Sequence, residues 1–167
     1  MSEATLVRLL VFRVGNLVCA AEVDAVREIL PRLPTTRIPG APPVVAGLAN
    51  VRGTLVTVVE GWRALAQPAP AQGAGGTTIL LEVGPAAAAA TPAQGGAGAR
   101  KLIGFTVDEV MDMLTVGEGT LEQGRALAGV DPTLVRAVGR RGGGDVFVVL
   151  DVAALLGPIL TTQGREQ

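Results

Sequence analysis

The sequence predicts an all-β fold made of two related small units, and three observations carry that expectation. The segment Leu17 to Leu30, LVCAAEVDAVREIL, returns as Lys101 to Leu114, KLIGFTVDEVMDML, in one unbroken register without insertion or deletion. Within it Val23-Asp24 and Val26 are answered by Val107-Asp108 and Val110, and Ile29-Leu30 by Met113-Leu114. A second echo keeps the same order: Val45-Ala46-Gly47 through Asn50, Arg52 and Gly53 to Val58-Val59-Glu60 is answered by Arg136-Ala137-Val138-Gly139, a glycine turn at 142–144, and Val148-Val149-Leu150-Asp151. A weaker one sets Val11 to Gly15 beside Leu80 to Gly84. Repetition of strand, glycine and acid in one order implies two related units, and short apolar runs with many glycine corners argue for small barrels.

Each element follows from its residues. Val7, Leu9 and Val11 alternate with Arg8, Leu10 and Phe12, and Gly15-Asn16 stands between two apolar runs, so 7–20 reads as a hairpin. From Glu22 the period changes: Val23, Val26, Ile29 and Leu30 follow steps of three and four, an amphipathic helical turn that Pro31 must stop. Val107, Val110, Met111 and Leu114 repeat it, and these valines either plug the open end of a barrel or face a partner. Pro31, Pro34, Pro39, Pro42 and Pro43 make 33–43 a rigid extended connection. Leu55 to Glu60 reads as a strand and Trp62 to Ala66 as a short helical turn.

Residues 67–76 and 84–99 are built from Ala, Gly, Pro, Gln and Thr, which neither supply bulky core packing nor fix one backbone path. Both are expected to be flexible loops around a strand at 77–83. Beyond them 101–107 reads as a strand, 108–113 as the second helical turn and 117–124 as an exposed loop. Residues 130–139 and 145–151 form another hairpin around a triple glycine turn, closed by a helix at 152–156. The expectation is one domain over 5–160, its first subdomain mainly 16–66 and its second mainly 77–151, with terminal segments crossing between them.

Composition excludes several function classes. The 167 residues suffice for a core without staples, and a single cysteine, Cys19, rules out an intrachain disulfide framework. Cys19 lies in the apolar run VCAA and is expected as a small buried hydrophobe. The chain has no histidine, so thiol–histidine and serine–histidine catalysis within it are excluded. With 14 basic and 15 acidic side chains and no basic stripe, phosphate-neutralising nucleic-acid binding has no support. Three Phe, one Trp and no Tyr provide no stacking platforms. Arg13, Glu22 and Asp24 interrupt the N-terminal apolar region, so no membrane insertion is expected, and MSEATLVRLL lacks the charged start of an export signal. A cytoplasmic protein is the expectation.

The carboxylates Asp24, Asp108, Asp151, Glu28, Glu60 and Glu109 mostly have counterparts in the other unit, which a duplicated fold explains better than an acid–base pair. Gly73, Gly75, Gly76 and 142–144 lack the Lys-Ser/Thr of a phosphate loop. No Cys or His set has metal-ligand spacing. Catalytic residues, metals and cofactors are therefore all expected to be absent.

These residues resemble the CheW-like family of chemotaxis coupling proteins. The resemblance is carried by Phe12-Arg13-Val14-Gly15, by Val23 with Val26-Arg27-Glu28-Ile29, by IPGAPPVVAGLANVRG from Ile38 to Gly53, by Val58-Val59-Glu60, by Ile103-Gly104 with Val107 to Val110, and by Val148 to Gly157. It covers nearly the whole chain outside the low-complexity loops, and GLANVRG after the prolines is its most specific part.

The resemblance implies two five-stranded SH3-like β-barrel subdomains with short helices around a shared hydrophobic seam. It further implies a non-enzymatic adaptor coupling the cytoplasmic tip of a methyl-accepting chemoreceptor to the regulatory domain of a CheA-like histidine kinase. Such an adaptor is a monomer when free and is recruited to membrane-associated receptor arrays. Residues carried over as protein-binding are Asn50, Arg52 and Gly53, with Val26 and Glu28 on the adjacent turn. Arg52 offers a rigid fork of donors for a carboxylate or carbonyl, facing a partner or bracing the two subdomains, and Gly53 can take a positive φ. The sequence departs from the family at Gly61 and Trp62, where leucine and arginine are usual; Trp62 is either an aromatic anchor for a partner or a filler of the space Gly61 vacates. Two other readings stand beside this one: a scaffold of a chemosensory system with another output, such as surface motility or development, and a small-molecule binding barrel.

Overall fold

The computed structural model describes residues 5–71, 76–83, 101–122, 130–141 and 144–164. The expected flexible loop at 84–99, residues 72–75 of the loop at 67–76, the end of the loop at 117–124, and Gly73, Gly75, Gly142 and Gly143 lie outside them.

The N-terminal apolar run forms β1 (Leu6–Val14) and, after the Gly15-Asn16 turn, β2 (Leu17–Glu22), the expected hairpin. Gly15 has φ +58°, a left-handed value that tight hairpin turns demand. There follow β3 (Val26–Pro31), β4 (Val45–Val51), β5 (Thr54–Glu60), the one-turn helix α1 (Gly61–Ala64), β6 (Thr77–Val83) and β7 (Lys101–Val107). β8 (Glu109–Gly117), β9 (Val135–Arg140), β10 (Val146–Leu150) and helix α2 (Val152–Gly164) complete the described elements.

The strands form two sheets, ordered β8-β1-β2-β10-β9 and β3-β6-β7-β5-β4. β2 runs parallel to β10 and β5 parallel to β7, while every other neighbouring pair is antiparallel, so both sheets are mixed. This corrects the expected closed barrels. The outer strands β8 and β9, and likewise β3 and β4, share no ladder. Among the described residues the backbone pairing across the two gaps is confined to isolated bridges, Glu122 to Val138 and Thr36 to Leu48. Pro31 and Pro34 lack the N–H groups a continuing ladder would need, and the chain leaving β8 turns aside in a 3-10 turn at Glu118–Thr120.

The two expected helical turns are also corrected. Only Val23–Ala25 is helical, as a single 3-10 turn, and Val26 onward is strand; in the second copy β8 begins directly at Glu109. Each strand carries a β-bulge that breaks its two-residue alternation. The bulges skip Arg27 and Met111, which are equivalent positions of the two echoed segments. Smaller shifts concern β9, which starts at Val135 after a 3-10 turn at Pro132–Leu134, and α2, which continues past Leu156.

The duplication reappears as topology. Replacing β1 to β5 by β6 to β10, and the reverse, turns either sheet order into the other. The registers obey the same exchange: Thr57 faces Ile103 and Val58 faces Gly104 in one parallel pair, Val148 faces Cys19 and Val149 faces Ala20 in the other. Yet each unit is split between the sheets. One sheet is made of β1, β2, β8, β9 and β10 and the other of β3 to β7. Both echoed segments, around Val23-Asp24 and Val107-Asp108, are the places where the chain crosses from sheet to sheet.

Leu10, Phe12 and Val14 of β1, Cys19 and Ala21 of β2, and Val148 and Leu150 of β10 pack in one buried cluster with Ile79, Leu81, Ile103, Phe105 and Val107 of the other sheet. The Phe12 and Phe105 rings meet edge-to-face across this seam at 6.2 Å. Leu9, Val11, Ala20, Ala137, Phe147 and Val149 form a second cluster on the opposite face of the first sheet. Burial on both faces is why these strands read as continuous apolar runs.

Candidate protein-binding site

Val51 and Thr54 face each other across the β4–β5 hairpin, leaving Arg52 and Gly53 as its two-residue turn. Their φ values are +52° and +87°, the left-handed pair that a type I′ turn requires and that follows the twist of the flanking strands. The expected positive φ at Gly53 is present. The Gly53 N–H donates to Asn50 Oδ1 at 2.8 Å, pinning the turn from within. Arginine is an unfavourable choice at a left-handed position, so its side chain has to explain its presence.

That side chain reaches to the other edge of the same sheet. Arg52 Nη1 and Nη2 donate to Glu28 Oε1 and Oε2 at 2.7 and 2.5 Å, a fork-to-fork pair. Glu28 lies on β3, so the pair clasps the two outer strands where no ladder joins them. The intramolecular brace exists, although it spans one sheet rather than two subdomains. The Arg52 hydrogen bond, above all, holds the Glu28 carboxyl below the ordinary carboxylate range, against the opposing effect of burial and with the aid of the Arg52 charge. The Arg52 side chain remains 73% exposed, so the brace leaves most of it facing solvent.

Val26, two residues before Glu28, is half-buried against the seam cluster. Asn50, Arg52, Gly53, Glu28 and Val26 thus fall on one turn and the strand it is clasped to. Trp62 does not join them. It lies on α1 beyond the far end of β5, about 20 Å away along a seven-residue strand. There its ring is half-buried against the seam cluster, with the Arg63 guanidinium 4.4 Å from its centre. Gly61 vacates no space for it: a Cβ at Gly61 would stand 2.1 Å from the Thr106 carbonyl oxygen and 3.0 Å from the Phe105 ring.

Two apolar residues beside the clasp were not singled out by sequence reasoning. Leu55, opposite Asn50, is 66% exposed, and Ile29, next to Glu28, is 43% exposed. Strand parity was the available signal for Leu55, next to buried Val56; Ile29 offered none, because the bulge at Arg27 interrupts the alternation. A third feature also went unassigned. Arg13 donates to Asp108 and Glu109, each at 3.1 Å, and the Gly15 N–H donates to Asp108, tying the β1–β2 hairpin to the crossover between β7 and β8. Cys19 is fully buried, and burial pushes its thiol up to about 12; it is held as a thiol, as expected of a core hydrophobe. No helix among the described residues is long and apolar enough to cross a membrane.

Comparison with known proteins places this geometry. The chain is 29% identical over 114 residues to a chemotaxis protein CheW of Rhizobium meliloti (strain 1021) and 26% identical over 114 residues to a probable chemotaxis protein CheW of Rhizobium etli. Both matches take in 68% of this chain and 64% of the relative, a little under two thirds of the relative's length. The crystal structure of the scaffolding protein TtCheW from Thermoanaerobacter tengcongensis superposes with a TM-score of 0.74 at 16% identity, over 91% of this chain and 93% of that one, which establishes a shared fold. A model of the CheW-like domain matches residues 8–159, nearly the full described length. The chain belongs to the CheW-like domain family.

Proposed function

We infer that this chain is a non-enzymatic adaptor of chemotaxis signalling that couples a chemoreceptor to a CheA-like histidine kinase. The kinase regulatory domain docks on the face built by β3 and the β4–β5 turn, with Val26, Glu28, Asn50, Arg52 and Gly53 as its contacts and exposed Leu55 and Ile29 as apolar flanks. The receptor tip lies along the seam between the sheets, and Trp62 offers a separate aromatic contact at the far end of β5. The observation that carries this reading is the Glu28–Arg52 clasp, an arginine kept at a left-handed position with most of its side chain exposed. A fixed, partly exposed fork is already ordered when a partner arrives, which lowers the entropy lost on binding.

Titration of the purified chain with the regulatory domain of its CheA-like kinase tests the reading. Saturable binding is expected, weakened about tenfold or more by Arg52→Ala, the order of effect of losing a charged contact at an interface. Val26→Glu is expected to weaken it further, provided circular dichroism shows the variant folded. Failure of the wild-type chain to form any complex removes the kinase half of the proposal.

A further inference from the structure

The clasped edge strand β3 of the second sheet has its counterpart in β8 of the first, which among the described residues is guarded by the bulge at Met111 and the charges of Glu109 and Asp112 but by no clasp. β3 carries Arg27, clasped Glu28, Ile29 and Pro31; at the equivalent positions β8 carries Met111, Asp112, Met113 and Thr115. Among the described residues no cation clasps Asp112, and β8 contains neither proline nor lysine, the usual guards of an edge strand. It is nine residues long, pairs with β1 on one side, and leaves Met111 and Met113 37% and 57% exposed.

The direction of its free peptide groups follows from the ladder. Glu118 N–H donates to Thr5 O at 2.8 Å, and antiparallel pairs alternate between bonded and non-bonded. Met113 and Thr115, opposite Leu10 and Arg8, therefore turn their N–H and C=O groups away from β1, toward the open edge. The Met113 N–H is met there by the carboxylate of Asp112 at 2.7 Å. A side chain is standing in for a missing strand.

We propose that the open edge of β8 receives an extended segment of a partner protein whose apolar side chains alternate with lysine or arginine. The apolar ones would cover Met111 and Met113. The cations would engage Asp112 and Glu118, both exposed, and the outer side of Glu109, whose other side holds Arg13. An incoming carbonyl would take the Met113 N–H and release Asp112 to the cation beside it. The charges argue against a second copy as occupant: antiparallel pairing centred on Met113 sets Asp112 diagonal to its own image, a like-charge contact that sheets disfavour. The inference rests on the edge alone and does not depend on kinase binding at the clasp.

A blocked nine-residue peptide of alternating valine and lysine, titrated into the isotopically labelled full chain and followed by NMR, tests it. Saturable shifts and slowed hydrogen exchange are expected at the Met113 and Thr115 amides, with a dissociation constant below about 1 mM. Asp112→Lys should weaken binding about tenfold or more, and a peptide with glutamate in place of lysine should not bind. The proposal is overturned by an absence of shifts on β8, by equal binding of the glutamate peptide, by undiminished binding to the folded Asp112→Lys chain, or by protection of the same amides in the peptide-free chain through self-association in sedimentation.

Discussion

Arg52 is the residue at which backbone preference and side-chain chemistry pull in opposite directions, and the side chain wins. Its φ of +52° suits asparagine or glycine better, yet the fork it places on Glu28 closes the gap between two sheet edges. The pair has a pH signature with a definite sign. Glu28 in the folded chain titrates below its unfolded value, which is about 4.3 for a model glutamate. Its stabilisation is therefore complete above that unfolded value and is lost as pH falls through the folded one. Denaturant unfolding of the wild-type chain and Arg52→Ala should show the wild type more stable at pH 7, with the difference closing as pH falls through the folded Glu28 value. A difference that persists unchanged once acid has protonated Glu28 would assign Arg52's contribution to something other than the clasp. The positive φ at Gly53 was legible in the sequence because glycine takes it without strain; the hairpin turn it forms with Arg52 was not. The partnership of Arg52 with Glu28 was not, because it depends on which strands end up at the edges.

Among the elements, strands bounded by glycine were read well, as were the helical turn after Trp62 and the helix at 152–156, while the two echoed helical turns were read badly. Val26 and Leu30 fit a helical step of four and a strand step of two equally, and the bulge at Arg27 removes the alternation that would have decided between them. What decides is the hydrogen-bonding partner β6, which no local pattern reveals. The junction of β5 with α1 shows the converse, a local residue choice dictated by a distant element. Gly61 donates its N–H to Thr106 Oγ1 at 3.1 Å, and a methyl group at its Cα would meet the Thr106 carbonyl oxygen at 2.1 Å. The leucine usual in the family at this position thus has no room beside β7. Gly61→Ala should cost about 3 kcal/mol by forcing the backbones apart. Gly53→Ala, with nothing within 4 Å of its added methyl, should cost only the backbone strain of about 1 kcal/mol. Chemical denaturation of the two variants checks the order, and equal costs would mean that α1 is free to move off β7.

The duplication was visible in the sequence as an echo at one fixed spacing, while the way the copies share their strands was not. Similar sequence requires similar local structure, and the matched bulges at Arg27 and Met111 meet that requirement. It does not say which copy a strand must pair with. Here β1 and β2 of the first unit join β8, β9 and β10 of the second, and β3, β4 and β5 join β6 and β7. The chain crosses between sheets at 23–25 and again at Asp108, so the hydrophobic seam around Phe12 and Phe105 is shared by two sheets that each draw on both units. Cutting the chain within 72–75 would thus leave β1 to β5 on one fragment and β6 to β10 on the other, each with parts of both sheets and the whole of neither. Two-stranded remnants, with β3 and β8 each left without its ladder partner, fall below what independent stability needs. Each fragment alone should show the amide NMR dispersion of an unfolded chain, and mixing them at equal concentration should restore the dispersed spectrum with a midpoint of thermal unfolding that rises with concentration. A fragment that folds alone would mean that its strands are stable without the exchange, and that the units, not the sheets, are the cooperative pieces of this molecule.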